Sequence, residues 1–270
     1  MTESRLVKAL LRIATLAVLS FIYLPLIVLG IYAFNTSRIQ AWPPQGLTFH
    51  WFFEAANNPA VIKALVNSLL AASFATILAL LLGTLAALAV QRYDFFGRQT
   101  ISFFLVLPIA LPGVVSGIAL RTTFTTFDID LSLLTIIVGH ATFCVVVVYN
   151  NVVARLRRLP RTPEEASADL GADSITTFQR ITLPGIWTAL LSGGLLAFGL
   201  SFDEIIVTIF TAGAGTETIP MWIYSAIQRP NELPVVNVVA LVLIIVSVLP
   251  VYIATRLSGD VATTGRGGGI

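Results

Sequence analysis

Six stretches of the chain, at about 13–34, 65–90, 101–120, 131–153, 186–202 and 235–255, carry no charged side chain and are mostly apolar. A helix needs about 20 such residues to cross roughly 30 Å of hydrocarbon. The apolar residues run continuously rather than alternating, which favours spanning helices over the strands of a barrel. The pattern predicts an all-α polytopic membrane protein with six spans. The first run is longer than the apolar core of a secretory signal and reads as a retained span.

An even number of crossings places both termini on one side, and the Lys/Arg bias says which. The N-terminus, 91–100, 154–185 and the C-terminus together hold twelve of the sixteen Lys and Arg residues, whereas the intervening loops hold only Arg38, Lys63, Arg121 and Arg229. Both termini are therefore expected in the cytoplasm. Residues 1–12 read as a cytoplasmic N-terminus, 13–257 as one transmembrane domain, and 258–270 as a disordered, glycine-rich cytoplasmic tail.

The outer loops also hold Glu54, Asp128, Asp130, Asp203, Glu204, Glu217 and Glu232. An acidic outer face concentrates cations modestly, although the topology bias alone yields the same imbalance. Two of these loops are long. One, 35–64, carries Trp42, Pro43, Pro44, His50 and Trp51; the other, 205–234, contains Thr218-Ile219-Pro220-Met221-Trp222-Ile223-Tyr224, which reads as a capped short helix with interfacial aromatics.

Composition narrows the function classes. Apolar residues make up 56% and charged residues 11% of the 270, with a mean hydropathy of +0.89; a soluble domain carries about a quarter charged residues. The net charge of +2 and the lack of a basic run among aromatics speak against a nucleic-acid partner. The only lysines, Lys8 and Lys63, do not follow a glycine, so no phosphate-cradling loop exists. With two histidines, His50 and His140, and one cysteine, Cys144, no zinc cluster is expected. His140 lies in an apolar run near Cys144 and reads as a hydrogen-bonded core histidine.

The loop 155–184 is the most informative segment. It contains Thr162-Pro163-Glu164-Glu165-Ala166-Ser167-Ala168-Asp169-Leu170-Gly171. Thr162 suits an N-cap, Pro163 the first helical position, and Glu165 a capping box; Gly171 suits the left-handed residue that ends a helix. Asp173 or Ser174 then caps a second short helix, 175–180. On residues alone, this pair of helices is an ordinary linker or a docking element.

The spacing Glu165-Ala166-Ser167, Gly171, Ile181, Leu183-Pro184 resembles the E-A-A-x3-G-x9-I-x-L-P motif of permease subunits in bacterial ATP-binding-cassette importers, with Ser167 in place of the second alanine. Along about 25–257 the chain further resembles spermidine/putrescine-type permeases, in Pro43-Pro44-Gln45-Gly46-Leu47-Thr48, in 107–113, in Ser201-Phe202-Asp203-Glu204 and in Ile219-Pro220-Met221-Trp222. The resemblance implies the fold of type I importer permeases, a first outer helix and a five-helix core. It implies that Glu164, Glu165, Ala166, Ser167, Asp169, Leu170, Gly171, Ile181, Leu183 and Pro184 couple the chain to a separate ATPase, with Arg155, Arg157, Arg158 and Arg161 flanking. ATP and Mg would sit on that ATPase and no cofactor on this chain. The other implied partners are a second, different permease chain and an extracytoplasmic binding protein, all at a bacterial inner membrane.

For the solute path, the residues singled out are Phe202, Asp203, Glu204, Pro108 and Pro112. Adjacent carboxylates beside an apolar helix are costly unless they face a cavity or partner; Phe202 offers a cation–π surface. At 1.5 Å per residue from Trp187, the acidic pair is expected near the outer end of the fifth span. Pro108 and Pro112 are expected to break the third span, and Gly113 and Gly117 to form a close-packing face. The acidic phrase favours a polyamine. Alternatives are a GABA-like amine, iron or an oxyanion as solute, and, from other classes, an ATP-independent carrier, a membrane enzyme or a scaffold.

Overall fold

The structure, a computed structural model, describes residues 5–263. The helices are α1 (Arg5–Ala33), α2 (His50–Asn57), α3 (Pro59–Arg92), α4 (Arg98–Ala110), α5 (Gly113–Thr126), α6 (Leu133–Leu156), α7 (Thr162–Asp169), α8 (Ser174–Thr177), α9 (Leu183–Phe202), α10 (Ile206–Thr211), α11 (Ile219–Ala226) and α12 (Leu233–Thr263). Among the described residues, the only bridge outside helices pairs Asn35 with Leu47. Five helical stretches are long and apolar enough to span a bilayer, and α4 with α5 makes a sixth if the bent pair is one span. The chain divides into two compact units, one of residues up to Ile62 with Trp222–Ile245, the other of Lys63–Met221 with residues from Val246.

In the second unit, α3 is apolar all round, so its faces are sorted by size. Ala64, Ala71, Ala72, Ala75, Ala79 and Ala87 are buried, while Leu69, Phe74, Ile77, Leu81 and Leu85 point outward. Small residues let backbones approach where no water drives association. A Cβ at Gly83 would lie 2.9 Å from the Val145 carbonyl, and one at Gly193 3.3 Å from the Val148 Cα. The core between α3, α6 and α9 is accordingly rich in alanine and valine, with Cys144, Tyr149, Leu156 and Ile186 among them.

The third span breaks where expected. Pro108 lies inside α4, Leu111 and Pro112 are extended, and the two halves meet at 106°. Pro112 has no N–H to donate and restricts Leu111 to extended backbone. At 13 and 14 residues, each half is about 20 Å long, too short to cross alone.

In the first unit, the 35–58 segment is ordered around Asn35. Its carbonyl accepts from Trp51 Nε1 at 2.7 Å and its Oδ1 from the Gln45 N–H at 3.1 Å. Phe34, Phe49 and Phe52 cluster beside it, and Arg38 lies over the Trp51 ring.

Three expectations are corrected. α12 continues through the start of the expected tail to Thr263, and 264–270 lies outside the described residues. The first N–H of α11 is met by Ser68 Oγ of α3 at 2.8 Å, and the buried Thr218 hydroxyl caps nothing. Trp222 is buried rather than interfacial, while Tyr224 is exposed.

Candidate functional site

Two regions gather the residues singled out. The first is α7 and its supports. Glu164 holds the helix down: Arg92 Nη2, from the end of α3, donates to Glu164 Oε1 at 3.1 Å, Arg92 Nε lies 2.9 Å from Oε2, and Thr182 Oγ1 donates to Oε1 at 2.8 Å. Arg161 Nη2 donates to the Gln91 carbonyl at 2.7 Å, satisfying a helix-end acceptor of α3. Arg155 Nε reaches the Gly185 carbonyl at 2.8 Å, and Ser167 and Thr177 hydroxyls meet at 2.9 Å. Arg155 and Arg161 therefore brace the loop from within, while Arg157 and Arg158 are exposed.

Successive helical residues point about 100° apart. With Glu164 turned inward, Glu165 faces out, as do Ala166 and Asp169. Leu170 is 89% exposed and Ile175 68%, an apolar pair beside the acidic face. An open pocket of about 390 Å³ runs beside α7, lined in part by Arg92, Glu164, Glu165, Ala168 and Phe178.

The C-terminus of α7 closes as expected. Gly171 has φ +83°; its N–H reaches the Ala168 carbonyl and that of Ala172 the Ser167 carbonyl, at 2.9 and 3.0 Å. This is a Schellman closure, and it needs the left-handed residue glycine supplies. Asp173 Oδ1 accepts from the Thr176 N–H at 2.7 Å, which holds its carboxyl below the usual range.

Two expectations fail here. No side-chain cap forms at the start of α7, where Arg161 takes the N-cap position, so Glu165 closes no capping box. The second helix is not separate: α8 runs through a π segment, Phe178–Thr182, directly into α9. The Pro184 ring would clash with the Arg180 carbonyl in a regular helix; the wider turn, with Leu183 N–H bonded to the Phe178 carbonyl, accommodates it. Ile181 and Leu183 are half-buried in this join and Pro184 is exposed.

The second region is the fifth span. Residues after Phe202, expected in an outer loop, form α10, which packs on α5 and α6. Ser201 lies level with His140, and Thr211 with Thr135 of α6, whose Oγ1 donates to the Thr211 carbonyl at 2.7 Å. The apolar helix that ends at Phe202 is thus followed by a break and then by α10, which stays against α5 and α6. Asp203 and Glu204 sit at that break, about 10 Å along α6 from Leu133 at 1.5 Å per residue, rather than at the outer end.

The two carboxylates differ. Glu204 Oε1 accepts from the Val207 N–H at 2.9 Å and so starts α10. The Asp203 carboxylate is exposed and has no partner among the described residues. Phe202 is 2% exposed and stacked on Phe198 at 5.9 Å, so its ring offers no open cation–π face, a further correction. Gly113 and Gly117 do form a packing face, receiving Ile206 and Phe210 of α10. Pro112 is exposed and Pro108 half-buried. His140, fully buried, bonds Ser201 Oγ and Thr208 Oγ1, each at 2.8 Å, the core role expected of it. What the sequence hid was α10, whose six residues are too few to register as a span.

Five apolar helices long enough to span a bilayer among the described residues, a sixth bent at Leu111–Pro112, and a braced short helix between α6 and α9 define a polytopic membrane protein. The model of the binding-protein-dependent transport system inner membrane component family matches residues 79–262, and the chain belongs to that family. It is 34% identical over 255 residues to the spermidine/putrescine transport system permease protein PotC of Shigella flexneri, covering 94% of this chain and 95% of that one. It is 36% identical over 229 residues to the putrescine transport system permease protein PotI of Escherichia coli K12, covering 82% and 80%. A crystal structure of a bacterial ABC transporter that imports the acidic polysaccharide alginate contains a chain of the same fold, with a TM-score of 0.75 at 16% identity, covering 94% of this chain and 95% of that one.

Proposed function

We propose that the chain is one permease subunit of an ATP-driven importer for a polyamine of the spermidine/putrescine class, in the bacterial inner membrane with both termini in the cytoplasm. Its partners are an ATPase pair that binds ATP and Mg, a second permease chain, and an extracytoplasmic binding protein that delivers the solute. The observation that carries this reading is the α7 element, fixed at its base by Glu164 and free on its Glu165, Leu170 and Ile175 face. Such an element suits a lever driven by another chain.

The lever has two outputs. Glu164 links α7 to the end of α3 through Arg92 and to the foot of α9 through Thr182. When the ATPase pair closes, α7 moves and carries those two helices with it; α9 transmits the motion to its broken end, where Asp203 stands. An unpaired carboxylate inside a span is costly unless a cavity or cation meets it, and a polyamine ammonium supplies that cation. The similarity to PotC and PotI over most of the chain supports the same solute class.

The test is reconstitution in liposomes with the cognate ATPase, second permease and binding protein. Labelled putrescine or spermidine should enter only with ATP and all four components. Uptake by this chain alone would sink the reading; ATP-driven uptake of a different solute only would keep the importer and remove the polyamine.

A further inference from the structure

The break in the fifth span has a bracket across it. His140 of α6 is fully buried, with Nδ1 2.8 Å from Ser201 Oγ and Nε2 2.8 Å from Thr208 Oγ1. Ser201 belongs to α9 and Thr208 to α10, so one rigid ring is bonded to both sides of Asp203 and Glu204.

Donor counting assigns a direction to each bond, the ring tautomer being inferred from its partners. The single hydroxyl proton of Thr208 goes to the Glu204 carbonyl at 2.9 Å. Toward the ring, Thr208 Oγ1 can therefore only accept, and Nε2 must carry the proton. Among the described residues no carboxylate is bonded to the ring, and an unpaired buried charge is costly, so we take the ring as neutral, with Nδ1 accepting from the Ser201 hydroxyl.

Packing on α5 and α6 holds α10 from other sides, and the ring adds the hydrogen-bonded tie to α9. A Cβ at Gly139 would lie 3.1 Å from Val207 Cγ1, so α6 and α10 are in close contact beside the ring. Glu204 is committed to the Val207 N–H. Asp203, two residues beyond Ser201, has no partner among the described residues, and its direction is set by how the two half-helices meet.

We propose that His140 is a positioning residue for Asp203: by tying Ser201 and Thr208 to α6 it sets the angle between α9 and α10 and holds the Asp203 carboxylate toward the passing cation. This rests on the reading that Asp203 faces the solute. Leucine at 140 would fill the space but remove the ring's tie to each half-helix and leave two hydroxyls to find other partners. Glutamine, with one donor and one acceptor group, would restore part of the bracket.

The spectroscopic test uses the assembled transporter with 15N-histidine in this chain, which has only two histidines; His50→Gln assigns the signals. One protonated Nε2 and one unprotonated Nδ1 are expected for His140. A proton on Nδ1, alone or with Nε2, would overturn the donor order and the proposal with it. The functional test is solute carried per ATP hydrolysed, in complexes shown to be fully assembled. Two lost hydrogen bonds predict about a tenfold fall for His140→Leu, partial recovery for His140→Gln, and the same fall for Ser201→Ala with Thr208→Val. An unchanged ratio in the last variant overturns the proposal even where His140→Leu fails to assemble. Asp203→Asn separates the two levels: wild-type transport there removes the underlying reading, whereas impaired Asp203→Asn beside normal Ser201→Ala/Thr208→Val removes the bracket alone.

Discussion

Arg92, the last residue of α3, closes on Glu164 in the first turn of α7, with Nε 2.9 Å from Oε2 and both side chains largely shielded. Exposed ion pairs contribute about 0.2–1 kcal/mol, while breaking a buried one costs about 3–5 kcal/mol; this pair lies between those limits. Because Glu164 also accepts from Thr182, it joins three elements at one carboxylate. Glu164→Ala should therefore lower transport per ATP hydrolysed by about tenfold, a loss of roughly 1–2 kcal/mol, with membrane insertion intact. The exchange Arg92→Glu with Glu164→Arg should recover part of the loss relative to either single reversal. If the exchange is as impaired as both singles, the pair does not carry the coupling. The sequence motif places its acidic position at Glu165, and the structure turns that residue outward; Glu165→Lys should weaken ATPase association rather than the fold, as read by co-purification.

Gly171 separates backbone from steric effects. A Cβ there would meet nothing within 4 Å, yet φ is +83°. A left-handed non-glycine residue costs about 1–2 kcal/mol, and asparagine tolerates it best. Transport should fall in the order Gly171, Asn, Ala, Val, and equal transport for valine and glycine would show that the Schellman closure is dispensable. Asp173 supplies a pH counterpart. Its lowered carboxyl pKa means the cap contributes stability above the ordinary carboxylate range, and this is lost as pH falls through the lowered value. Exchange protection of the Thr176 amide should drop with acid in the wild type and be absent at all pH values in Asp173→Ala.

The spans, the break at Leu111–Pro112, the glycine face at 113 and 117 and the closure at Gly171 are legible because each rests on a local rule: apolar run length, a missing N–H, a missing Cβ. Three of the long-range satisfactions show what is not. Ser68 meeting the Ile219 N–H, Arg161 meeting the Gln91 carbonyl and Glu164 meeting Arg92 depend on which surfaces face each other, and no spacing encodes that. α10 is hidden for a related reason. Its apolar residues follow two carboxylates, a sequence that reads as a chain leaving the membrane, and only packing against α5 and α6 brings them back.

The acidic pair at the break predicts a split between stability and transport. Asp203→Asn removes a charge with no partner among the described residues, so thermal stability should hold or rise while uptake of a dication falls by about tenfold or more, the scale of a charge-assisted hydrogen bond. Glu204→Gln keeps an acceptor for the Val207 N–H and should be mild on both measures. Glu204→Ala should destabilise by about 1 kcal/mol, as loss of a helix-start acceptor does. Normal uptake in Asp203→Asn with impaired uptake in Glu204→Gln would invert the assignment.

Three glycines that admit α10 and the turn after it rank by what a methyl group would strike. At Gly113 a Cβ would lie 3.2 Å from Ile206 Cγ2, at Gly117 2.5 Å from Phe210 Cδ2, and at Gly213 1.9 Å from the Leu131 carbonyl oxygen. The first contact needs a shift of a few tenths of an ångström. The second displaces a ring, and overpacking of that kind costs about 1–3 kcal/mol. The third strikes backbone, which no rotamer change relieves. Folded yield and Tm in detergent should therefore fall in the order Gly113→Ala, Gly117→Ala, Gly213→Ala. Phe210→Leu should rescue Gly117→Ala, and no side-chain substitution at Leu131 should rescue Gly213→Ala, because the obstructing atom belongs to the main chain. Rescue of Gly213→Ala by Leu131→Ala would show that the turn can move, and that the close approach of Gly213 to Leu131 does not fix where α10 ends.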